Sequence, residues 1–381
     1  MSSPVTASPT ARPQSLLAPL AQGLWVLLAA ALVLAPSADW AWGIDPTPPP
    51  QENRRLAAQP GWPNSLDEGI AWPAKVEAWF KDGFGLRNSL IAWHSTWMLD
   101  YLGVSPNKDV LIGKQGWLYF GIAKNVDSYR CLAPFTPAEL KVQVAEAKRR
   151  QQWLAKRKIG YGHVWVPIKA NIYPEYLPSG LTKLDQPCRL QQWIAAVGQA
   201  GVPVLDLTSA LKKAKSADPF EIYYRTDTHW NPRGAWHGYQ AMVPWLKKLV
   251  PTLPTLTADQ VHFAMRSDRG GDLARMLDLQ ERYRGIDPFL ELRPARAKLV
   301  ANTAIAAKGV NLATFECASC GPLRGVMLHD SFGNHLRPFV AESFAHLVAA
   351  EFAGFDEKLL EAERPDFVLE VHLERQLTPE R

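Results

Sequence analysis

Two short stretches of this chain carry side chains able to move a proton and attack a carbonyl. The first is Thr226-Asp227-Thr228-His229-Trp230-Asn231-Pro232. In an extended segment, residues two apart point to the same side, so the Asp227 carboxylate can reach Nδ1 of His229. A carboxylate so placed fixes the imidazole tautomer, steadies the imidazolium and leaves Nε2 to take a proton. Asn231 with Pro232 reads differently, as an N-cap and first-turn pair that starts a helix. The second stretch is His329-Asp330-Ser331-Phe332-Gly333-Asn334. A serine at a tight strand-to-helix turn presents its Oγ at a sheet edge, where nearby amides and the helix dipole steady a developing negative oxygen. Position 329 is His where the GxSxG elbow has glycine, so this is half of that motif, and a serine there also suits a helix N-cap. Taken together, the two stretches predict Ser331 as nucleophile, His229 as base and Asp227 as the acid that orients it. Chain order is no obstacle, because unrelated folds reach this arrangement in different orders.

The elements that would position these groups come from Tyr161 onward. YGHVWVP, GVPVLDL, EIYYR, RGVMLH and DFVLEVHL each read as a strand, and most are followed by a segment with helical spacing. That alternation predicts an α/β fold with a mostly parallel central sheet covered on both faces. Ligands then bind beyond the carboxyl ends of the strands, where both stretches fall. Thr252 to Cys320 is less periodic and reads as an irregular excursion within the same domain. Upstream, residues 72–102 read as two short amphipathic helices broken at Asp82 to Gly85, DVLIGKQGWLYFG as a hairpin turning near Lys114 to Gly116, and Pro137 to Lys158 as a long helix with a basic, solvated face.

Other site candidates are thinner. Lys169 and Asn171, after the YGHVWVP strand, can face the same cleft or cap that turn; Asn334 can donate to an oxyanion or cap its helix. His229 and His237 could share a metal with Asp227, but no second carboxylate stands at useful spacing, so no metal is expected. Phosphate loops of the GxxxxGK[ST] and GxGxxG types are absent, and no cofactor is expected. Cys131 and Cys188 lie in proline-containing loops and Cys317 and Cys320 form a lone CxxC; two disulfides, Cys131–Cys188 and Cys317–Cys320, are the expected pairing, with other connectivities open.

Composition sets the frame. Of 381 residues 47% are hydrophobic and 21% charged, enough for a packed core and unlike a disordered chain. A net charge of +5 is too dilute to imply a nucleic-acid partner, and none is expected. Residues 16–35 hold no charge and are long enough to cross a bilayer once, with Trp40 and Trp42 as an interfacial anchor beyond. The expected layout is a cytoplasmic tail at 1–15, an anchor at 16–36, a linker at 37–64 that is proline-rich from 44 onward, and a body at 65–381 outside the cytoplasm. A cleaved signal peptide with its site near Ala38 is the alternative for the second segment.

In series, several stretches resemble the alginate O-acetyltransferases of the AlgJ and AlgX type, whose bodies are SGNH-hydrolase-like: ENRRLA, VEAWFKDGFGLRNSLI, VLIGKQGWLYF, VPIKANIYPEYLP, DTHWNPRGA, HDSFGN and RPDFVLEVHLER, over roughly residues 50–375. The resemblance implies a three-layer α/β body and a Ser-His-Asp triad of Asp227, His229 and Ser331. It also implies a periplasmic enzyme held to the inner membrane, with an exopolysaccharide such as alginate as acceptor and a membrane-bound O-acyltransferase as acetyl donor. Because the sequence ends about fifty residues after Ser331, the likeness is to the membrane-anchored AlgJ type, without the further carbohydrate-binding domain of the AlgX type. His329 departs from the usual glycine before Asp-Ser, which bears on the oxyanion hole. A polysaccharide acetyl esterase would use the same triad, and a non-catalytic polysaccharide-binding scaffold would use none of it.

Overall fold

The computed structural model describes residues 17–45, 56–306 and 309–379. The expected tail at 1–15 and the linker core at 46–55 lie outside the described residues. The chain divides into two compact units, Met1–Trp97 and Met98–Arg381.

In the first unit, α1 (Leu17–Trp42) runs on through Pro36, with its large apolar side chains from Leu24 to Leu34 exposed. Its stretch Ala21–Trp42 has a mean hydropathy of 1.7, long and apolar enough to cross a bilayer. Next comes α2 (Leu66–Gly83), capped by Ser65, whose hydroxyl accepts the Glu68 N–H, and then α3 (Arg87–Tyr101), which runs past the end of the unit.

The second unit opens with the hairpin β1 (Val110–Ile112) and β2 (Leu118–Phe120), then α4 (Ala123–Arg130) and α5 (Pro137–Ala155). A Thr136/Glu139 capping box and Pro137 start α5 where the sequence signals it. The alternating part follows: β3 (Gly160–Val166), α6 (Lys169–Ile172), α7 (Arg189–Gln199), β4 (Val204–Asp206), α8 (Thr208–Ala217) and α9 (Pro232–Leu249). After α9 come β5 (Val261–Asp268), α10 (Asp272–Met276), β6 (Gly285–Leu292), β7 (Lys298–Ile305) and β8 (Val310–Glu316). The chain closes with β9 (Arg324–His329), α11 (Gly333–Ala341), β10 (His346–Glu351), α12 (Glu357–Glu363) and β11 (Phe367–Leu373).

One seven-stranded sheet runs in the order β4-β3-β11-β9-β10-β8-β7. Its first five strands are parallel, and β8 and β7 are antiparallel additions at one edge. The parallel strands are apolar on both faces, as strands covered on both sides must be. Met327, Leu369 and Val371 face α9 and α11 with Trp236, Tyr239 and Phe339, whereas Val326, Leu328 and Val368 face α5, α7 and α12 with Leu154, Trp193 and Leu360. The result is a three-layer α/β body.

Two expectations need correction. EIYYR is not a strand of the sheet. It folds back on the residues just ahead, with Tyr224 N–H bonded to the His229 carbonyl, Asn231 N–H to the Ile222 carbonyl, and one bridge between Tyr223 and Trp230. Ile222 and Tyr223 are consecutive and both buried, so an apolar run that mimics a strand serves a folded-back loop. Nor is Thr252 to Cys320 irregular: β5 and β6 pair with each other, and β7 and β8 extend the main sheet. Nearly every residue of β7 is exposed, so edge position erased the pattern that reveals a strand. β10 (HLVAAE) is a further sheet strand that the sequence reading did not name.

Candidate active site

β9 is a central strand, buried through its last five residues, and it ends at the serine turn. Asp330 is buried and fixes that turn: Oδ1 accepts the Phe332 N–H at 3.0 Å and Oδ2 accepts the Leu373 N–H at 2.7 Å, tying the turn to the end of β11. Gly333 is needed for close approach, since a Cβ there would lie 2.3 Å from the His329 ring. The Gly333 and Asn334 amides bond back to the Asp330 and Ser331 carbonyls, while the Ser331 amide has no acceptor among the described residues.

The Asp227 loop reaches the same point without a strand to carry it. Lys169, buried at the start of α6, donates from Nζ to the carbonyls of Tyr224 (3.1 Å), Arg225 (3.0 Å) and Asp227 (2.7 Å). Burial pulls this lysine down to about 7, opposed by the charges of Asp227 and Asp272. From the other side comes Gly270-Gly271-Asp272. The Asp272 N–H donates to Asp227 Oδ2 at 2.9 Å, and the Asp272 carboxylate accepts the Thr228 N–H at 2.7 Å and hydroxyl at 2.6 Å. The Leu273 and Ala274 amides of α10 donate to the Thr226 carbonyl. Any Cβ on Gly271 would meet Asp227 Cβ at 2.4 Å.

Held this way, His229 Nδ1 lies 2.6 Å from Asp227 Oδ1 and its Nε2 lies 2.7 Å from Ser331 Oγ. Trp230 ties the two loops directly, donating from Nε1 to the Phe332 carbonyl at 2.9 Å. With Nδ1–H donating to the carboxylate, Nε2 carries the lone pair that faces the serine hydroxyl. Burial opposes the Asp227 charge, but the His229 hydrogen bond and charge and the amides of Asp272 and His229 outweigh it and hold the carboxyl well below the ordinary range. Burial also works against protonated His229, yet Asp227 and, more weakly, Asp272 carry the imidazole above its ordinary value. Asp272 goes the other way: burial and the charge of Asp227 push it up. Of the two, Asp227 gives up its proton the more readily, in keeping with its direct contact; Asp272 stands 3.7 Å from Nδ1.

Lys169 holds the loop. Asn171 donates to Glu374 at 2.5 Å and accepts from Lys183. Asn334 donates from Nδ2 to Glu351 at 2.8 Å. His237 pairs with Asp218 at 2.8 Å, apart from His229. Cys131 is bonded to Cys188 and Cys317 to Cys320. The second carboxylate that spacing did not reveal is Asp272, which with Asp227 and His229 makes a group of ligand atoms within 4.8 Å of one another. Its only sequence signal is a Gly-Gly turn ahead of an acid at a helix start.

Residues 110–311, more than half of the chain, match the family described as the SGNH hydrolase-like domain of the acetyltransferase AlgX. The chain belongs to this family. The match to the AlgX-type domain includes Asp227 and His229 and ends before Ser331. Among curated relatives, the probable alginate O-acetylase AlgJ of Pseudomonas aeruginosa is 33% identical over 131 residues, 33% of this chain and 30% of that protein. The same-named protein of Pseudomonas fluorescens is 25% identical over 242 residues, 61% of this chain and 57% of that protein. The chain thus spans less than two thirds of either relative. Among solved structures, Bacillus cereus PatB1 with a sulfonyl adduct aligns with 71% of this chain and 96% of its own at a TM-score of 0.53 and 15% identity, a likeness of fold.

Proposed function

We propose that this AlgX-family chain is an O-acetyltransferase that works through an acetyl-enzyme on Ser331. The observation that carries the reading is the continuous line from Asp227 Oδ1 through His229 to Ser331 Oγ, with contacts of 2.6 and 2.7 Å. His229 Nε2 takes the hydroxyl proton as Oγ attacks the acetyl carbonyl; the tetrahedral oxygen is met by the Ser331 amide; the bond to the donor breaks and the donor leaves with that proton. An acceptor hydroxyl then gives its proton to Nε2, attacks the acetyl carbon and departs as the ester, freeing Ser331. The acceptor is an exopolysaccharide, alginate by analogy with the proteins named above. The donor is a membrane-bound acyltransferase that hands the acetyl group across, and the chain works in the periplasm on the anchor α1. The raised His229 and ionised Asp227 support the acid-base roles; the length and hydropathy of α1 support the location.

Incubating the full chain with a chromogenic acetyl ester and oligoalginate, followed by mass spectrometry of protein and sugar, tests the reading. Wild type should give a chain 42 Da heavier, as expected for one acetyl group, and acetylated sugar; Ser331→Ala should give neither. Free acetate without acetylated sugar would instead identify an esterase, and unchanged polymer acetylation by Ser331→Ala would leave only a scaffold role.

A further inference from the structure

The α5 side of the sheet holds a second cluster of reactive groups that the acetyl-transfer reading does not use. In β11, Glu370 and His372 are two apart and so share a face; in β3, His163 sits directly opposite Glu370 and Trp165 opposite His372. Cross-strand register therefore gathers two imidazoles and a carboxylate contributed by two adjacent central strands. His163 Nε2 and His372 Nδ1 are 3.2 Å apart, and His372 Nδ1 is 3.8 Å from Glu370 Oε2. One ligand atom from each of the three residues lies within 4.8 Å of the others. Nitrogen and oxygen ligands about 2.0–2.1 Å from a tetrahedral Zn²⁺ stand about 3.3 Å from one another, close to the spacing of the two imidazoles, and the Glu370 carboxylate, 3.9 Å from His163 Nδ1, must draw in to complete the geometry. Above the cluster opens a cavity of about 340 Å³, bordered by Gln143, Glu146, Trp193 and Gln376.

We propose that His163, Glu370 and His372 bind one divalent cation of the Zn²⁺ class, with a coordination position open to this cavity. Two imidazoles and one carboxylate form a donor set that zinc accepts with the fourth place left to an exogenous ligand. The supports around them are those a metal carboxylate needs. Tyr161 donates to Glu370 Oε1 at 2.8 Å, which turns Oε2 toward the imidazoles. Arg150 is the competitor: its Nη1 donates to the same Oε2 at 2.9 Å. Arg150 also stands at the solvent edge, 28% exposed, and is bonded through Nε to Glu146 at 2.8 Å, so it can give up Oε2 and keep a partner. The cation and the guanidinium thus exchange at one oxygen.

The full chain in detergent, stripped of metal, would be dialysed against Zn²⁺ for metal analysis and titrated with Co²⁺ for its visible d–d bands. Wild type should retain one equivalent of Zn²⁺ and show the intense bands of four-coordinate Co²⁺. His372→Ala should weaken binding about tenfold or more. Arg150→Gln should tighten it several-fold, a gain that no folding defect can imitate. His229→Ala should leave it unchanged, since the Asp227–Asp272 group is separate. Loss of metal with His229→Ala but not with His372→Ala would overturn the proposal. So would absence of Zn²⁺ from both wild type and Arg150→Gln, which would leave a hydrogen-bonded buried cluster only.

Discussion

The two loops that meet at Ser331 are held in opposite ways. The serine turn is the direct continuation of a buried central strand, and its fixing carboxylate, Asp330, bonds to the turn itself and to the neighbouring strand β11. The Asp227 loop leaves no strand. It is pinned by one lysine side chain from the start of α6 and by a turn 45 residues further along the chain. Ser331 is therefore part of the sheet's cooperative core, while Asp227 and His229 are assembled around it by polar contacts. Substitutions at the first loop should be felt in the fold, and substitutions at the second in the chemistry.

The largest separation is expected at Asp227. Asp227→Asn keeps the shape and can present its amide to Nδ1, which favours the wrong tautomer; comparable changes in serine triads cost about 10⁴-fold in kcat. The melting temperature should move little by comparison. The same variant carries a pH signature. The proposed mechanism needs neutral His229, whose value is raised above 6.5 by Asp227, so kcat/KM of wild type should fall on the acid side from above that value. In Asp227→Asn, burial is left as the leading influence and the acid limb should move to lower pH. For stability the signs differ by group: the His229 contribution is full below its unfolded value near 6.5 and fades as pH rises through the raised folded value, whereas that of Asp227 is present above about 3.8 and fades as pH falls through the depressed one. An acid limb that does not move would mean that Asp227 does not tune the base.

Asp330 should give the converse. Asp330→Ala leaves the buried amides of Phe332 and Leu373 without acceptors, at about 1–3 kcal/mol each, so denaturant unfolding should register a loss of about 2–6 kcal/mol. What activity survives should keep the wild-type pH profile. Full stability with a shifted profile would break the division between the two loops.

The same contrast governs how much was legible in the amino-acid sequence. RGVMLH, DFVLEVHL and YGHVWVP declare themselves because strands buried on both faces are near-continuous apolar runs. The serine turn follows from where such a run stops, and the pairing of Asp227 with His229 follows from a two-residue spacing. What stayed hidden were the supports set by register or by distance along the chain. Asp272 supports Asp227 from 45 positions away, Lys169 acts through backbone carbonyls, and Glu370 meets His163 only once β11 and β3 have paired. EIYYR misled because burial of a folded-back loop imitates burial of a strand. β7 was missed because an exposed edge strand has no apolar face to show.

The smallest expected effect probes the seam between the loops. Trp230 is fully buried, its ring lies 6.0 Å from that of Phe332, and its Nε1–H ends on the carbonyl next to Ser331. Trp230→Phe keeps an aromatic ring, removes that donor and leaves the Phe332 carbonyl without its partner, a loss of about 1–3 kcal/mol. Because the bond joins the Ser331 turn to the His229 loop, part of that loss should appear as a longer Oγ to Nε2 distance, lowering kcat about tenfold with KM nearly unchanged. Combining Trp230→Phe with Lys169→Met gives the sharper measurement. If the two supports hold the His229 loop jointly, their effects on kcat will not add, with a coupling of about 0.5–3 kcal/mol. Strict additivity would show that the two supports act independently, each on its own part of the loop.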